Sequence, residues 1–346
     1  MSNIPLISII ILNYNGGKLV EDCINSIINS SYSNLEIILV DNDSQDDSHH
    51  ICKEKFSNII LIENNENLGY CEGNNVGIRK ANGEFIVILN PDTIVTKDWL
   101  NFLIDACKKN GEGFYQPKLL AADDQKRINS VGNMINLFGF GYSRNKGLED
   151  KNEIKEVKQI TYASGACLFV TKNTLDKIGY FDSFLFAYHD DLDLGWRAMQ
   201  LNVKSFLVPK SIVYHAESFS FKWSKKKFYL LERNRWYCLL THYSKKTFYK
   251  LLPSLLLIEF FMFFYYLKKG MIKEKISGYN DIIKNRKLIH EKYLELEAKK
   301  EVTDKELINN FSDIIETPQE VSGKNQSKVF NNLLRKLGKL SRSILK

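Results

Sequence analysis

Three carboxylates, those of Asp190, Asp191 and Asp193, are crowded into four residues of an otherwise apolar and aromatic stretch at 186–197. Adjacent carboxylates repel one another and raise each other's pKa unless a cation or a substrate offsets the repulsion, so the cluster suits a proton acceptor. A helix start is the alternative, in which Asp190 or Asp191 is the N-cap. In that helix Asp193 would pair with Arg197 at the i,i+4 spacing, and we adopt this for those two residues. Capping needs only one of the first two aspartates, so the other is left for chemistry.

A second set of polar side chains closely follows apolar runs: Asn13, Asp41 and Asp92. Each one alone fits a turn or a helix cap at the end of a strand. In open α/β sheets, however, ligands bind beyond the carboxyl ends of the strands, so three such residues on one edge predict a ligand site. No GxGxxG follows the first apolar run and no GxxxxGK[ST] occurs, which argues against a nicotinamide dehydrogenase and a P-loop protein.

The elements that must position these residues alternate between runs of strand length and segments with helical periodicity. The predicted strands are 6–12, 35–40, 59–62 and 85–89, the predicted helices are 19–28, 48–56 and 75–81, and a Gly/Asn-rich turn is predicted at 64–73. This alternation implies an α/β fold, with a mainly parallel sheet, right-handed crossovers and helices on both faces.

Composition and charge restrict the class of protein. At 346 residues, with 44% hydrophobic and 26% charged residues, the chain is predicted to be globular. The net charge of +7 is concentrated at one end, because residues 321–346 hold seven basic residues and no acidic one. The remainder is formally neutral, so we expect no nucleic-acid partner. The six cysteines form no CxxC pair, and we recognise no secretory signal, so we expect a reducing, cytoplasmic location.

Several short motifs occur in a fixed order along the chain. They are Ile11–Asn15, Val40–Ser44, Asn67–Tyr70, Gly73–Gly77, Leu89–Thr93, Ser164–Cys167 and the pair Asp190 and Asp191. The ordered set resembles glycosyltransferase family 2, in particular its rhamnosyltransferase-like branch, over about residues 5–240. The resemblance implies a GT-A (Rossmann-like) fold. It also implies sugar transfer from a nucleotide-diphosphate donor with inversion at the anomeric carbon, with Mg²⁺ or Mn²⁺ as cofactor.

The resemblance also implies a donor-binding set. Its members are Asn13, Tyr14, Asp41, Asn67, Gly69, Asn75 and Asn90. Asp41 is similar to the family's aspartate that hydrogen-bonds the pyrimidine base, and the turn at Asn13 and Tyr14 resembles the loop that packs on that base.

The predicted metal site rests on the same resemblance. The stretch Asn90-Pro91-Asp92 resembles the family's Asp-x-Asp motif, with Asp92 as the metal carboxylate. Asn90 replaces the first aspartate, so it can hold the ribose or a metal-bound water but contributes less to cation affinity. His215 resembles the histidine that completes the site, although a lone histidine after an apolar run is more often structural. Imidazole would tilt the preference from Mg²⁺ toward Mn²⁺.

The crowded aspartates resemble the family's Glu-Asp pair, with Asp191 as the base and Asp190 where glutamate is usual. The shorter side chain leaves a swapped or shared role open. A carboxylate opposite the leaving diphosphate can take the proton of an acceptor hydroxyl as it attacks an anomeric carbon. The acceptor side is predicted to include Ser164, Gly165, Tyr188 and Arg197. A close-packed strand is the alternative at the first two of these.

The predicted domains are a catalytic domain at 1–245, a helical apolar and basic extension at 246–295, a polar linker at 296–327 and a basic amphipathic helix at 328–346. We interpret the apolar run at 251–267 as an in-plane or domain-packing helix, because it is short for a membrane span and contains Glu259. The last helix is predicted to bind an anionic membrane surface, with docking onto a partner as the alternative.

Together these features predict an enzyme that is peripheral on the inner face of the cell membrane. It would transfer a sugar from dTDP-rhamnose or a UDP-hexose to a glycan or lipid-linked acceptor in surface polysaccharide synthesis. The alternative is a non-catalytic nucleotide-sugar-binding or scaffold subunit of a polysaccharide assembly complex, suggested by the departures at Asn90 and Asp190.

Overall fold

A computed structural model describes residues 4–217, 224–316 and 326–345. The chain divides into two compact units, the first comprising 1–133, 143–195 and 203–220, and the second comprising 134–142, 196–202 and 221–346. This division differs from the predicted one, since 221–245 belongs to the second unit. The reason lies in the helix Lys225–His242, which packs against two later helices of that unit.

The strands are β1 (Ile7–Asn13), β2 (Leu35–Asp41), β3 (Ile60–Glu63), β4 (Phe85–Leu89), β5 (Thr93–Val95), β6 (Gly113–Ala121), β7 (Ile128–Ser130), β8 (Asn133–Ile135), β9 (Gly141–Ser143), β10 (Lys158–Ile160), β11 (Cys167–Thr171) and β12 (Lys204–His215). The first six helices are α1 (Gly17–Ile28), α2 (Ser48–Lys55), α3 (Gly69–Lys80), α4 (Trp99–Asn110), α5 (Lys172–Ile178) and α6 (Asp190–Gln200). The remaining helices are α7 (Lys225–His242), α8 (Lys245–Lys268), α9 (Ile272–Lys284), α10 (Arg286–Lys299), α11 (Asp304–Ile308) and α12 (Gln326–Leu345).

The first unit is built on a ten-stranded sheet. Its strand order is β10-β12-β6-β11-β4-β1-β2-β3, with β5 beside β12 and β7 beside β6. The four predicted strands pair in parallel, and the apolar runs of the central pair β1 and β4 are buried, as expected of a sheet covered on both faces. The sheet is mixed beyond them, since β11 runs antiparallel to both β4 and β6. The predicted α/β class is confirmed, and the parallel register places Asn13 opposite Asp41 at one edge.

The predicted turn at 64–73 is partly helical, because α3 begins at Gly69. Two glycines let this helix approach the sheet. A Cβ on Gly73 would lie 2.5 Å from a Leu12 methyl carbon, and one on Gly77 would lie 2.5 Å from a methyl carbon of Ile10. Gly73, which belongs to the predicted turn, therefore serves close packing.

The second unit is mainly helical, and the predicted linker at 296–327 is folded in its first part. Thr303 caps α11 with a reciprocal capping box to Glu306, which satisfies two backbone donors at the start of the helix. Leu307 and Phe311 are buried within the unit. These apolar residues supply the packing that a polar linker would lack, so 296–316 is part of the unit.

Residues 328–345 of the predicted amphipathic helix lie within α12, which packs on α8, and residue 346 lies outside the described residues. The hydroxyls of Ser341 and Ser254 lie 2.9 Å apart, and the Lys250 ammonium donates to the Ile344 carbonyl at 2.7 Å. Leu334 is fully buried. Part of the apolar side that was predicted to meet a membrane is thus occupied within the chain.

The apolar run at 251–267 lies inside α8. Leu251, Leu255 and Ile258 are fully buried within the second unit, in agreement with a domain-packing helix. Among the described residues α8 alone is long and apolar enough to cross a membrane, judged by length and composition.

Candidate functional site

The ends of β1 and β2 hold the first cluster of predicted donor-binding residues. Asn13 and Asp41 are both buried, and the Asn13 amide donates to the Asp41 carboxylate at 2.8 Å. The backbone N–H of Ser44 donates to the second Asp41 oxygen at 2.9 Å. These bonds fix the carboxylate in one orientation at the sheet edge. The side-chain oxygen of Asn13 is buried without a hydrogen-bond partner in the described chain, and the neighbouring Tyr14 is exposed.

Asn67 and Gly69 shape the backbone near the crowded aspartates. The Asn67 side-chain oxygen accepts from the Asn42 amide at 3.0 Å and from the Gly69 N–H at 2.9 Å. Gly69 has a φ of +78°, and a Cβ there would lie 2.6 Å from the carbonyl oxygen of Phe186. Only glycine fits this position, which borders the loop that leads to Asp190.

Asn75, predicted at the donor, forms hydrogen bonds to other residues of the first unit. Its amide donates to the Phe181 carbonyl at 2.8 Å and to Glu72 at 3.1 Å, and its oxygen accepts from the Phe181 N–H at 3.0 Å. The side chain is buried. Its amide and its oxygen hold the backbone at Phe181, before the aspartate loop, and its contact with a donor stays a prediction.

The predicted metal ligands come together after β4 and at the end of β12. The Nε2 atom of His215 lies 3.2 Å from the Asp92 carboxylate and 3.5 Å from the Asn90 amide. The pairing of β5 with β12 creates this contact, because it sets Thr93 opposite His215. On its other side, Nδ1 of His215 lies 3.2 Å from the Asn129 side-chain oxygen. That contact orients the ring so that Nε2 faces Asp92.

A divalent cation fits this donor set. Neighbouring ligands of an octahedral ion with bonds of about 2.1 Å lie roughly 3 Å apart, close to the 3.2 Å between Asp92 and His215. Both side chains are buried, and their oxygen and nitrogen donors suit Mn²⁺ as well as Mg²⁺. Asn90 adds a neutral group at the same place, so a bound cation would depend on few protein ligands.

Asp190 and Asp191 begin α6, and the loop before them is strained. Phe186, Tyr188 and His189 all have φ between +60° and +66°, a conformation that residues with a side chain rarely adopt. Such strain persists where the surrounding structure enforces it, and it clusters at functional sites. The loop therefore holds the two carboxylates in a position that a relaxed backbone would not give.

The two carboxylates differ in their surroundings. Burial raises the pKa of Asp190 to about 8, and the adjacent negative charge of Asp191 adds to the rise. Burial also raises the pKa of Asp191 to about 6, while the Gly165 and Leu192 backbone N–H groups and the Asn133 amide oppose it. Both carboxylates thus have raised pKa values, and the backbone N–H groups and the Asn133 amide favour the charged form at Asp191.

A short segment links the carboxylate pair to the metal-ligand loop. The Gly165 N–H donates to Asp191 at 3.2 Å, and the Asn90 N–H donates to the Ala166 carbonyl at 3.0 Å. Gly165 also accepts from the Tyr70 hydroxyl at 2.7 Å, and a Cβ on it would lie 3.3 Å from the Asp190 carboxylate. The two predicted chemical groups thus flank one tightly packed turn.

The other predicted acceptor-side residues fall in different places. Ser164 precedes this turn, and its N–H donates to the Gln116 side chain at 2.8 Å. Tyr188 is half-buried in the strained loop. Arg197 is buried and belongs to the second unit.

Three residues that the sequence reasoning passed over take part in this site: Tyr70, Asn129 and Asn133. Tyr70 lies inside one of the quoted motifs, so its position could have been noticed. No recognisable strand pattern precedes Asn129 or Asn133 in the sequence. The folded sheet brings Asn129 to His215 and Asn133 to Asp191.

Asp190→Asn is expected to stabilise the protein at neutral pH. The folded-state pKa of Asp190 lies above its ordinary value of 3.8, so folding stability falls as pH rises from about 4 through about 8. Asparagine does not titrate, and the variant should gain about 1–3 kcal/mol at pH 7.5 and little at pH 4. Urea unfolding at both pH values measures the gain. The exposed Asp176→Asn serves as control, and equal effects of the two variants would contradict the assignment.

The parallel half of the sheet, its acidic edge and the helical extension define a GT-A fold. A crystal structure of S. aureus TarS 1–349 with UDP-GlcNAc matches 97% of this chain and 91% of that chain, with a TM-score of 0.55 at 15% identity. A structure of GalNAc-T7 with UDP, GalNAc and Mn²⁺ covers 74% of this chain and 52% of that chain, with a TM-score of 0.59 at 17% identity. At these identities the likeness concerns the fold.

Sequence comparison shows a likeness to one family. Residues 8–179 match Glycosyl transferase family 2. It is 27% identical over 203 residues to the low-salt glycan biosynthesis hexosyltransferase Agl10 of Haloferax volcanii. That match covers 57% of this chain and 62% of the relative, less than two thirds of its length.

Proposed function

We propose that the protein is an inverting glycosyltransferase of the rhamnosyltransferase-like type. It transfers a sugar from a nucleotide diphosphate, either dTDP-rhamnose or a UDP-hexose, to a hydroxyl of a glycan or lipid-linked acceptor. The reaction serves surface polysaccharide synthesis at the inner face of the cell membrane. The family match and the glycan-synthesis relative support this proposal.

One observation carries the proposal. The turn at Gly165 and Ala166 joins the Asp191 carboxylate to the loop that holds Asp92, through hydrogen bonds of 3.2 Å from the Gly165 N–H and 3.0 Å to the Ala166 carbonyl. Sugar transfer needs a general base and a group that binds the diphosphate, and the link between Asp191 and the Asp92 loop supports assigning these two roles to them. A protein that only bound a nucleotide sugar would not need the strained, mutually repelling pair, which costs folding stability.

The mechanism assigns a role to each group. Asp41 hydrogen-bonds the nucleobase of the donor, and Tyr14 packs on that nucleobase. Asn90 contacts the ribose. Asp191 takes the proton from the acceptor hydroxyl as the oxygen attacks the anomeric carbon, on the face opposite the diphosphate. Asp190 carries the shared proton at neutral pH, so the attacking oxygen meets one negative charge and not two.

Asp92 and His215 would hold a divalent cation. When bound, such an ion supplies Lewis-acid stabilisation of the negative charge on the departing diphosphate. Since Asn90 contributes no charge, metal affinity is expected to depend strongly on the diphosphate itself.

A screen of nucleotide sugars by thermal shift, with and without Mn²⁺, tests the proposal. The true donor is expected to raise the melting temperature by mass action, most strongly with metal present. Donor hydrolysis and transfer assays on the same compounds then separate an enzyme from a scaffold subunit. Stabilisation without any turnover would favour the scaffold, and stabilisation by no nucleotide sugar would overturn both.

A further inference from the structure

Helix α8 presents a continuous apolar face outside the proposed active site. Every exposed residue between Leu251 and Leu267 is apolar, and four are phenylalanines. They are Pro253, Leu256, Leu257, Phe260, Phe261, Phe263, Phe264 and Leu267. Contiguous apolar surface of this kind on a soluble protein marks a place that meets a partner or a membrane.

The opposite side of α8 is already satisfied within the second unit. Leu255 and Ile258 are fully buried, and α12 covers part of that side through the Ser341–Ser254 contact. Phe260 and Phe264, in contrast, are 58% and 51% exposed, with their rings 5.0 Å apart. The helix is thus held by one face and free on the other across the described residues.

The single acidic residue of this run is hidden from the apolar face. Glu259 accepts from the Lys275 ammonium at 2.6 Å and also from the Arg235 guanidinium and the Tyr279 hydroxyl. Arg235 and Lys275 are themselves buried within the second unit. The charge of Glu259 is therefore neutralised inside the protein, and the exposed face carries no charge of its own.

Positive charge flanks the face at both ends of α8. Lys245 and Lys246 begin the helix, Lys268 ends it, and Lys269 and Lys273 follow; all five are exposed. An apolar strip between basic ends complements a bilayer with anionic headgroups. A second copy of the chain fits poorly, because pairing two α8 faces in either direction sets lysines against lysines.

We propose that α8 lies in the plane of an anionic membrane, with its phenylalanine face inserted between the headgroups and the lysines on lipid phosphates. This inference deepens the membrane location proposed above, but it moves the contact from the C-terminal helix to α8. It does not depend on the transfer chemistry. The buried side of α8 keeps its partners in the second unit, so the helix need not cross the bilayer.

Flotation of the full-length protein with vesicles tests this surface. Vesicles of phosphatidylcholine with phosphatidylglycerol should bind the protein, and vesicles of phosphatidylcholine alone should bind it much less. Salt should weaken the binding, because it screens the attraction between the lysines and the anionic lipid. The double variant Phe260→Gln with Phe264→Gln should lower the partition coefficient at least tenfold, because two large apolar side chains no longer insert.

The matched control is Leu340→Gln with Ile344→Gln on α12, two residues that are likewise exposed. This pair should leave vesicle binding within about twofold of the unchanged protein. Circular dichroism and transfer to a soluble acceptor check that both variants are folded. Vesicle binding itself is measured without any assay of transfer, so the result does not depend on the proposed function.

Several results would overturn the proposal. Loss of binding in the α12 variant alone would return the contact to the C-terminal helix, and equal binding to both vesicle types would remove the role of the lysines. The face would be an interface between two copies if sedimentation shows that the unchanged protein is a dimer and the α8 variant is a monomer, while neither of these two proteins binds vesicles.

Discussion

Replacing Asp191 with asparagine should lower the rate of sugar transfer by about a hundredfold or more, while donor affinity stays nearly unchanged. Asparagine keeps the shape of the side chain, and its oxygen can still accept from the Gly165 N–H, which lies 3.2 Å from the carboxylate. It cannot take a proton from the acceptor hydroxyl. Steady-state transfer measured beside donor calorimetry separates the two effects.

The pH dependence provides a second readout for the same residue. Because burial raises the pKa of Asp191 to about 6, transfer by the unchanged enzyme should fall as pH drops through that value and the base becomes protonated. The asparagine variant should lose this dependence. Asp176→Asn, on the exposed side of α5, should behave like the unchanged enzyme. Near-normal turnover by the Asp191 variant would move the base to Asp190 or refute the mechanism.

Asp92→Ala should weaken donor binding about tenfold to a hundredfold when Mn²⁺ is present and have little effect in its absence. The carboxylate lies 3.2 Å from Nε2 of His215. Its removal leaves the His215 imidazole as the remaining one of the two proposed ligands for the cation. Without metal, the diphosphate has no cation to bridge it to the protein, so less is lost.

Asp41→Ala is the contrasting variant, since Asp41 is expected to contact the nucleobase of the donor and not the cation. Its loss should weaken donor binding to a similar extent with and without Mn²⁺. Calorimetry of both variants under both conditions decides the matter. If the two variants lose donor affinity with the same dependence on metal, the division between a nucleobase site and a metal site is contradicted.

The parallel half of the sheet could be predicted from local patterns alone. The apolar runs before Asn13 and Asp41 are long enough to be strands, and alternation with helices restricts them to parallel pairing. Parallel pairing brings strand ends to one edge, so the meeting of these two residues follows from the sequence. The crowding of Asp190 and Asp191 was likewise visible, because residues adjacent in sequence are also close in space. Their burial, which is the larger cause of the raised pKa values, was decided by the fold.

Contacts between distant parts of the chain required the tertiary structure. The approach of His215 to Asp92 depends on the pairing of β5 with β12, and a strand pattern does not specify its distant partner. Asn75 looked like a ligand residue, yet its amide is used by the backbone at Phe181, 106 residues away. A polar side chain forms whichever hydrogen bonds the folded chain offers, and its type alone does not reveal them.

The two apolar helices near the C-terminus show the same limit. The sequence determined that α8 and α12 are helical and that each has apolar residues to bury. It did not determine which surface would be covered, since apolar burial is non-directional and any complementary face can satisfy it. The fold decided this by packing part of α12 against α8 and turning Glu259 inward, which leaves the phenylalanines of α8 in solvent.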